Sequence, residues 1–536
     1  MFIVFLFQIV QSFDAEKLLT NEKFKQITRV TWLRGNSESE EDDSYLTFSE
    51  KTEIQIKLPP FYNLSTIIPT LDDCFYSKSS LSPSLRLLAI PCEFSSIFRV
   101  SYTAKFAFYD LFTQKYIEIK MPKGQSYRFQ HFKWIGRHES FIFIKDNNIF
   151  YANSFDKYPE QLTFDGEPNR IFNGVPDWVY EEEIYMQRDT VLADPNGEKI
   201  IFIKIDDSEI KGTLVPEFDK SQPYDQVFQT VEYPKVGVKI NIQAGQKIPR
   251  VNLMLLYLKA KRKSVKRQAI ELLPPHRFRG SGKILSFFSF VISDEIVACW
   301  MNRLQDEIYM MKYKLKSVGS KMILREEIIF KASVQSWIED KTFGDVHYSA
   351  KFDHLFFLWP FEQVDGDKYM HIMALDWSNP TEFLGITSGK WEVYNIICLN
   401  ENYIYYISNE QGVGTRHLYA LNLESNVQKC LTCDFPKDEC DVVDVKTNNN
   451  CNKAHIICQA QDVSFSFIRI FEKDDKFGYK DIDLNDKTVP TPENPTLFKN
   501  RLFTLRYENG SPVDVYEQIP ILNQSDDVKT DFLINM

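Results

Sequence analysis

The sequence predicts an all-β fold, an eight-bladed β-propeller, and three observations lead to this prediction. Phe (43) and Tyr (26) are abundant while Gly (20) is sparse, and a chain rich in aromatic residues favours strands. Short aromatic or β-branched runs recur along the chain behind polar turns. Their spacing is roughly 50 to 60 residues, which is in the range of propeller blades. A β-sandwich would not need so many equal units.

The repeat is counted from its first apolar run. Eight copies are present, at Thr31–Thr47, Leu87–Ile90, Phe141–Ile144, Ile200–Ile203, Ile296–Ala298, Leu355–Leu358, Tyr403–Tyr406 and His455–Ile457. A partner run follows several of them, at Phe106–Tyr109, Asn148–Tyr151, Glu307–Met310, Tyr369–Met373 and His417–Ala420. The interval from Asp194 to Ser293 is longer than the others. We interpret an insertion around 219–229 within it as an arm that projects from a blade.

Composition and charge limit the classes of function. The chain has 536 residues, 43% of them hydrophobic, which is enough apolar material for one very large domain or several ordinary ones. The formal net charge is −11, which argues against nucleic acid as a partner. Because charges of both signs are mixed along the chain, the acidity mainly indicates solubility. We expect no cofactor.

The first residues are predicted to be a targeting segment. The apolar run that begins at Met1 is too short to span a bilayer, which takes about 20 residues. It fits the apolar region of a signal peptide over residues 1–12, with cleavage near Ser12, although a basic start is missing. Residues 13–29 are predicted to form a short amphipathic helix, and the propeller is predicted over 30–495.

The nine cysteines admit two interpretations. Cys430 and Cys433 are three residues apart, a spacing that suits a zinc site, but no second pair has the same close spacing. A signal peptide implies an oxidising compartment, so we favour disulfides. Glycosylation sequons stand at Asn63 and Asn523, and a third one is weakened by a proline.

The stretch Asp177–Glu183 is the strongest candidate for a binding site. Three consecutive carboxylates, Glu181, Glu182 and Glu183, follow an aromatic pair, Trp178 and Tyr180. Adjacent carboxylates repel one another, and a bound cation would relieve that repulsion. The alternative is a solvated acidic edge, which is what a run of like charges usually is.

Several stretches of the chain resemble the dipeptidyl peptidase IV family, in the family's order. They are Phe98–Ala104, Asp177–Glu183, Tyr233–Gly237, Trp391–Val393, Tyr405–Glu410 and the cysteine-containing segment Cys430–Cys458. The resemblance covers most of the chain. Because enzymes of that family are often held by a membrane anchor, a clipped type II anchor is the alternative to a signal peptide at residues 1–12.

The resemblance implies roles for individual residues. Glu182 and Glu183 match the glutamate pair that binds the free amino terminus of a peptide. Arg99 matches the propeller arginine that binds the carbonyl of the peptide's second residue; outside the family context, a stacked surface arginine would be the better interpretation. The resemblance also pairs Cys430 with Cys433 and Cys440 with Cys458 in disulfides. It leaves the pairing of the remaining cysteines open, at Cys74, Cys92, Cys299, Cys398 and Cys451.

The catalytic serine of the family has no counterpart in this chain. Family enzymes carry it in a Gly-x-Ser-x-Gly turn of an α/β-hydrolase domain, and the motif does not occur here. The nearest pattern, Gly385–Gly389, is off by one residue. The segments Phe503–Tyr507 and Val513–Pro520 resemble the first hairpin of that domain. We therefore expect residues 496–536 to be its truncated beginning.

Two functions are expected from this pattern. The first is the substrate-recognition part of a dipeptidyl peptidase IV-like serine exopeptidase, which removes N-terminal Xaa-Pro or Xaa-Ala dipeptides, without its catalytic domain. The alternative is a non-catalytic pseudo-peptidase that acts as a protein-binding module or as a partner of a membrane protein. The expected partners are peptides with a free amino terminus, and a second copy bound through the arm and the hydrolase-facing surface. The expected location is secreted or at the extracellular face of the plasma membrane.

Overall fold

The computed structural model describes the chain from Val30 to Pro520 with gaps. The described ranges are 30–33, 44–48, 54–57, 65–69, 71–121, 128–136, 139–217, 227–234, 247–258, 269–280, 282–318, 321–339, 346–381, 383–435, 440–460, 464–472, 477–483, 498–506 and 512–520. The predicted signal peptide (1–12), the helix (13–29), Asn63, Asn523 and the tip of the insertion (218–226) lie outside these ranges and stay predictions.

Eight antiparallel sheets of four main strands follow one another within the described ranges. In each sheet the main strands pair in sequence order. Sheet 1 contains β1 (Val30–Leu33), β2 (Ser44–Phe48), β3 (Ile54–Lys57) and β4 (Ser65–Ile68). Sheet 2 contains β5 (Ser80–Leu81), β6 (Leu87–Ser96), β7 (Tyr102–Asp110) and β8 (Lys115–Ile117), with β9 (Arg128–Phe129) also on β7. Sheet 3 contains β10 (His131–Ile135), β11 (Ser140–Lys145), β12 (Asn148–Ala152) and β13 (Glu160–Gln161).

Sheets 4 and 5 follow, and the acidic stretch Asp177–Glu183 lies in the connection after the first strand of sheet 4. Sheet 4 contains β14 (Ile171–Asn173), β16 (Lys199–Asp206), β19 (Arg250–Tyr257) and β20 (Ile270–Leu272), with β15 (Val191–Ala193) also on β16. A separate hairpin of β17 (Gly212–Glu217) and β18 (Val227–Glu232) lies in the long interval, where the sequence predicts the arm. Sheet 5 contains β21 (Lys283–Ile292), β22 (Glu295–Asn302), β23 (Glu307–Val318) and β24 (Lys321–Ser333).

Three further sheets and a hairpin complete the strands. Sheet 6 contains β25 (His347–Ser349), β26 (His354–Glu362), β27 (Lys368–Asp376) and β28 (Phe383–Gly385). Sheet 7 contains β29 (Val393–Leu399), β30 (Tyr403–Ser408), β31 (His417–Asn422) and β32 (Gln428–Cys430). Sheet 8 contains β33 (Val442–Thr447), β34 (Lys453–Gln459), β35 (Ser464–Phe471) and β36 (Tyr479–Asp483). The last hairpin pairs β37 (Phe498–Arg506) with β38 (Pro512–Pro520).

Helical structure in the described ranges is short. Two 3₁₀ turns occur at Tyr76–Lys78 and His276–Phe278, and a π-helical segment spans Tyr180–Tyr185. None of the helices described here has the length and apolar character needed to traverse a lipid bilayer. The all-β propeller class is therefore confirmed, and its repeating unit is a four-stranded antiparallel meander.

The apolar runs of the sequence correspond to the inner strands. Seven of the predicted runs fall on the second strand of their sheet, and the longest one covers β1 and β2. The partner runs fall on third strands. Strand β30 is buried at every position, whereas the outer strand β28 is exposed at every position. Inner strands are covered on both faces, so they produce nearly continuous apolar runs.

The chain divides into two compact units. One contains Val30–Trp359 and Met373–Leu384, and the other contains Pro360–Ile372 and the chain from Gly385 onward. In the first unit, a large apolar core joins side chains of sheets 3, 4 and 5, and it includes Tyr180 and Ile184 of the helical segment. The helical segment is therefore fixed by the core of its own unit.

Four disulfides are formed in the described ranges. Cys430–Cys433 and Cys440–Cys458 are both present, in the pairing that the family resemblance implies. Two further bonds, Cys74–Cys92 and Cys398–Cys451, settle pairings that the sequence left open. Cys299 is a buried free thiol.

Candidate functional site

A tight turn leads the chain from sheet 4 into the acidic segment. Strand β14 ends at Asn173, whose side-chain amide donates to the Asn147 carbonyl at 3.2 Å and to Asp165 at 3.1 Å. Gly174 follows with φ of +77°, a conformation that residues with a side chain rarely adopt. A Cβ there would also lie 3.0 Å from Ile144 Cδ1. The glycine thus sets the direction of the segment that follows.

Asp177 organises the start of the helical segment. Its Oδ2 accepts a hydrogen bond from the Val179 amide at 3.2 Å, and its Oδ1 accepts one from the Tyr180 amide at 3.1 Å. The Glu181 amide donates to the Asp177 carbonyl at 3.0 Å. These bonds satisfy amides that the first turn of a helix leaves without partners.

Two tyrosines attach the helical segment to sheet 5. The hydroxyl of Tyr185 donates to the Leu285 carbonyl at 2.7 Å, and the hydroxyl of Tyr180 accepts from the Leu285 amide at 3.3 Å. The segment ends at Met186, whose φ of 53° is left-handed. The apolar and aromatic positions of the motif are therefore anchors, while Glu181 and Glu182 bind the loop between β6 and β7 of sheet 2.

Glu181 is fully buried and accepts hydrogen bonds from the loop Ile97–Ser101. Its Oε1 accepts hydrogen bonds from the amides of Val100 at 2.6 Å and Ser101 at 2.8 Å. Its Oε2 is buried without a hydrogen-bond partner among the described residues. No separate role for Glu181 follows from the sequence, because the family resemblance points only to the two glutamates after it. We identify it as the residue that holds the loop Ile97–Ser101 in place.

Glu182 and Arg99 lie together, as the resemblance implies. The Glu182 Oε1 accepts from the Arg99 amide at 3.0 Å, and its Oε2 lies 3.9 Å from the Arg99 Nη1. The Glu182 side chain is 14% exposed and the Arg99 side chain 65% exposed. Glu183 is exposed. The acidic run is therefore graded from a buried structural residue to a solvent-facing one, and it is not a uniform acidic edge.

The arm approaches the same segment at its base. The rings of Trp178 and Tyr233 make an edge-to-face contact with centroids 4.8 Å apart. Tyr233 directly follows strand β18 of the hairpin. Edge-to-face pairs of this kind contribute about 0.5 to 1.5 kcal/mol beyond area burial. The hairpin is thus tied to the acidic segment by an aromatic contact.

A pair of buried carboxyl groups lies beneath the segment. Burial raises the pKa of Asp177 to about 7 and that of Asp207 to about 9, and repulsion from Asp177 adds to the effect at Asp207. Both oxygens of Asp207 are buried without a hydrogen-bond donor in the part of the chain that the structure describes. Two such carboxyl groups favour a state in which they hold a proton at neutral pH.

One group has the residue types of a metal site. The side-chain ligand atoms of His417, Cys430 and Cys433 lie within 4.8 Å of one another. The two sulfur atoms are joined in a disulfide, however, so neither is a thiolate that could bind zinc. The disulfide interpretation of this spacing is therefore the one that the structure supports.

The repeated four-stranded sheets and the contact between the acidic segment and the Arg99 loop are the features that the family resemblance implies. The model of the dipeptidyl peptidase IV N-terminal region matches residues 82–465. That match covers well over half of the chain, so the chain belongs to the dipeptidyl peptidase IV family. The matched residues include both the Arg99 loop and the glutamates.

Curated relatives agree with this assignment. Inactive dipeptidyl peptidase 10 of Rattus norvegicus is 25% identical over 439 residues, which are 81% of this chain and 52% of the relative. Prolyl endopeptidase FAP of Bos taurus is 26% identical over 432 residues, 76% of this chain and 52% of the relative. Dipeptidyl peptidase 4 of Sus scrofa is 26% identical over 429 residues, 78% of this chain and 53% of the relative. The chain spans about half the length of these relatives.

A solved structure shares the fold. The crystal structure of Porphyromonas gingivalis dipeptidyl peptidase 4 superposes with a TM-score of 0.72 at 17% sequence identity. The match covers 94% of this chain and 66% of the bacterial one. At this identity the likeness supports the fold alone.

Proposed function

We propose that this chain is the substrate-recognition part of a dipeptidyl peptidase IV-like serine exopeptidase. The observation that carries the proposal is the contact between Glu182 and Arg99, two residues 83 positions apart. It brings a carboxylate and a guanidinium together at a half-exposed place. An ammonium group and the carbonyl near it are the features that such a pair would recognise at the end of a peptide.

The geometry leaves both groups available to a ligand. The 3.9 Å between Glu182 Oε2 and Arg99 Nη1 is too long for a good hydrogen bond. A peptide ammonium would gain a charge-assisted hydrogen bond from Glu182, and Glu183 is close in sequence and exposed. Arg99 would then donate to the carbonyl of the second residue. Glu181 would hold the loop, so that this spacing is fixed before the peptide arrives.

Removal of a dipeptide would follow from position. If the amino end is fixed, a serine at a set distance reaches the bond after the second residue. The family supplies that serine from an α/β-hydrolase domain, which would also select proline or alanine at the second residue. The hairpin β37–β38 lies where the sequence predicts the first strands of this domain. We assign the hairpin to it as part of the proposal.

The second candidate is a non-catalytic pseudo-peptidase. A specific observation favours it, since a relative with one of the higher coverages is named inactive dipeptidyl peptidase 10. In that case the propeller would act as a protein-binding module or as a partner of a membrane protein. In either case we place the chain outside the cell, secreted or at the plasma membrane. We propose that a second copy binds through the arm and the hydrolase-facing surface.

The experiment compares a free and an acetylated Xaa-Pro peptide by ligand-observed NMR. We expect the chain to prefer the free peptide, with affinity on the order of millimolar because one wall of a complete pocket is supplied. The double variant Glu182→Gln/Glu183→Gln should lose the preference. The control Glu118→Gln/Glu160→Gln removes the same charge at exposed positions and should retain it. Equal binding of both peptides by the unaltered chain would overturn the proposal.

A separate observation distinguishes the two candidates. Messenger RNA that continues past the codon for Met536 can be sequenced for Gly-x-Ser-x-Gly and a later histidine. Their presence would support the exopeptidase, and a continuing reading frame with another residue at the serine position would support the pseudo-peptidase.

A further inference from the structure

The loop that carries Arg99 also forms part of the wall of a cavity. The cavity has a volume of about 380 Å³, which is in the range of small-molecule sites. Phe98 and Ser101 of the loop contribute to its lining, and so do Val175 and Pro176 just before the acidic segment. The same loop residue Ser101 donates its amide to Glu181 at 2.8 Å. The cavity is therefore a neighbour of the candidate peptide site, within one compact unit.

The lining of the cavity is positively charged. Arg128, Lys145 and Arg188 contribute three cations, and Asp146 contributes one carboxylate. The whole chain has a net charge of −11, so this local excess is opposite in sign to the rest of the protein. Cations that share a partly desolvated cavity repel one another, and an anion between them would remove that repulsion.

Arg188 is the most enclosed of the three cations. Its guanidinium carbon lies 3.6 Å from the centroid of the Tyr102 ring, and its Nη1 donates to the Gln130 carbonyl at 3.4 Å. No carboxylate lies within 4.0 Å of it among the described residues. Burial lowers the pKa of Arg188, while Tyr102, Asp189 and Glu181 act in the opposite direction. A guanidinium has five N–H donors, and the bond to the Gln130 carbonyl uses one of those on Arg188, so it retains donors for a ligand.

The other two cations are held in different ways. The Arg128 Nη1 donates to the carbonyl and hydroxyl oxygens of Thr103 at 3.3 and 3.1 Å, and its Nη2 is 3.7 Å from a carboxylate oxygen of Glu93. Lys145 ends strand β11 and has no ion pair with any described residue. Arg128 is thus anchored in the wall, whereas the ammonium of Lys145 is available.

The neutral polar groups of the cavity wall are hydrogen-bonded to one another and to the backbone. The side-chain amide of Gln130 donates to Asn147 Oδ1 at 2.8 Å, and the Asn147 amide donates back to Gln130 Oε1 at 2.8 Å. Asn147 Nδ2 also donates to the carbonyls of Glu167 and Ile171, both at 3.0 Å. A wall whose polar groups already satisfy one another leaves the cations as the groups that select a ligand.

We propose that this cavity binds an oxyanion of carboxylate or phosphate type, held by Arg188 and Lys145. Two sources share this chemistry: the acidic side chain of a peptide that lies in the neighbouring site, and free inorganic phosphate. A guanidinium suits either group because its N–H donors match two oxygens at once. The site goes beyond the recognition of the peptide's amino end and does not require Glu182 or Glu183.

Two titrations of the full chain test the proposal. Binding of inorganic phosphate is measured by phosphorus NMR. Binding of Asp-Pro and Asn-Pro peptides is measured by ligand-observed NMR. We expect phosphate to bind, and Lys145→Gln to weaken binding about tenfold, as the loss of one charge-assisted contact implies. Arg188→Gln should weaken binding at least as much. Lys115→Gln, which removes the same charge at an exposed position of sheet 2, should leave binding unchanged.

The variants also separate this site from the peptide site. Glu182→Gln/Glu183→Gln should leave phosphate binding intact, so a failure of the peptide proposal does not affect this one. A preference for Asp-Pro over Asn-Pro that disappears in Lys145→Gln would assign the anion to a peptide side chain; phosphate binding without that preference would assign it to a free anion. Binding of neither probe, or equal weakening by Lys115→Gln, would overturn the proposal.

Discussion

Two regions of the chain differ in how completely their buried polar and charged groups are paired. In the cysteine-rich region, which comprises sheets 7 and 8, Arg469 is 1% exposed and fully engaged. Its Nε and Nη2 donate to the two carboxylate oxygens of Asp481 at 2.7 and 2.6 Å, and its Nη1 donates to the Leu431 carbonyl. Tyr479 stacks on the guanidinium at 3.6 Å. Three disulfides reinforce the same region.

In the recognition region, formed by the loop Ile97–Ser101 and the helical segment Tyr180–Tyr185, and directly beneath it, buried polar groups are less completely paired. Glu181 has one buried oxygen without a donor among the described residues, and Asp207 has two. Arg188, beside this region, has no carboxylate within 4.0 Å among the residues that the structure describes. Incomplete compensation costs stability and is found where a ligand or a strained geometry is needed. The difference fits the proposed function, in which the first region maintains the fold and the second binds the peptide.

The largest expected effect tests the covalent side of this comparison. Replacing Cys440 and Cys458 by serine should lower the free energy of unfolding by about 3 kcal/mol, because their bond closes a loop of 18 residues in the unfolded chain. The same replacement at Cys430 and Cys433 is the control, since that bond spans 3 residues. Urea denaturation measures both. A cost for the short bond that equals the cost of the long one would mean that loop closure is not the cause.

Much of the fold could be predicted because the inner strands are buried on both faces. Runs such as Phe141–Ile144 are fully buried and remain recognisable after the repeats have diverged. The outer strands could not be placed in the same way. Ser80–Leu81 is two residues long, and Phe383–Gly385 is exposed throughout, so neither has an apolar period. Length and exposure, rather than a departure from propensity, hide these strands.

The acidic run and its aromatic neighbours indicated the candidate site, but roles for individual residues came only from the family resemblance. The resemblance located Arg99, Glu182 and Glu183, and the structure brings Arg99 and Glu182 together. It gave no indication that Glu181 binds the loop, because a carboxylate that accepts from backbone amides depends on which loop lies opposite. The position of Arg188 against Tyr102 likewise depends on contacts between sheets. Contacts of this kind join segments that are remote in sequence and leave no local pattern.

The second expected effect tests the hydrogen bonds between Glu181 and the loop Ile97–Ser101. Glu181→Gln replaces a charged acceptor of two amide hydrogen bonds with a neutral one. We expect the free energy of unfolding to fall by about 2 kcal/mol, which is the scale of hydrogen bonds to a buried charged group. The preference for a free peptide amino end should also weaken, because Arg99 lies on the released loop. Urea denaturation and the peptide titration measure the two effects.

The matched control for that variant is Glu182→Gln. Glu182 accepts from one loop amide instead of two, and its side chain is 14% exposed, so its effect on stability should be smaller. Its effect on peptide binding should be larger. If Glu181→Gln left stability unchanged, Glu181 would be no structural residue and the contrast between the two regions would be weakened.

The smallest effect has the opposite sign and concerns the buried pair beneath the recognition region. An unfolded Asp has a pKa of 3.8, whereas in the folded chain burial raises the pKa of Asp177 to about 7 and that of Asp207 to about 9. The folded chain therefore retains protons that the unfolded chain has released. The stability from this pair is complete below pH 3.8 and is lost as the pH rises through the folded values.

Asp207→Asn should remove that loss. The asparagine amide is a donor and can hydrogen-bond Asp177 without a shared proton, so we expect the free energy of unfolding at pH 8 to rise by roughly 1 kcal/mol. The slope of stability between pH 4 and 9 should become flatter. Asp206→Asn is the control, because the pKa of Asp206 is lowered. Burial acts to raise this pKa, but the hydrogen bonds from the Ser208 hydroxyl and amide act in the opposite direction and contribute to the net decrease. That variant should gain no stability at pH 8. Thermal denaturation across this pH range measures both variants, and a loss of stability in Asp207→Asn at pH 8 would contradict a stability cost from this pair.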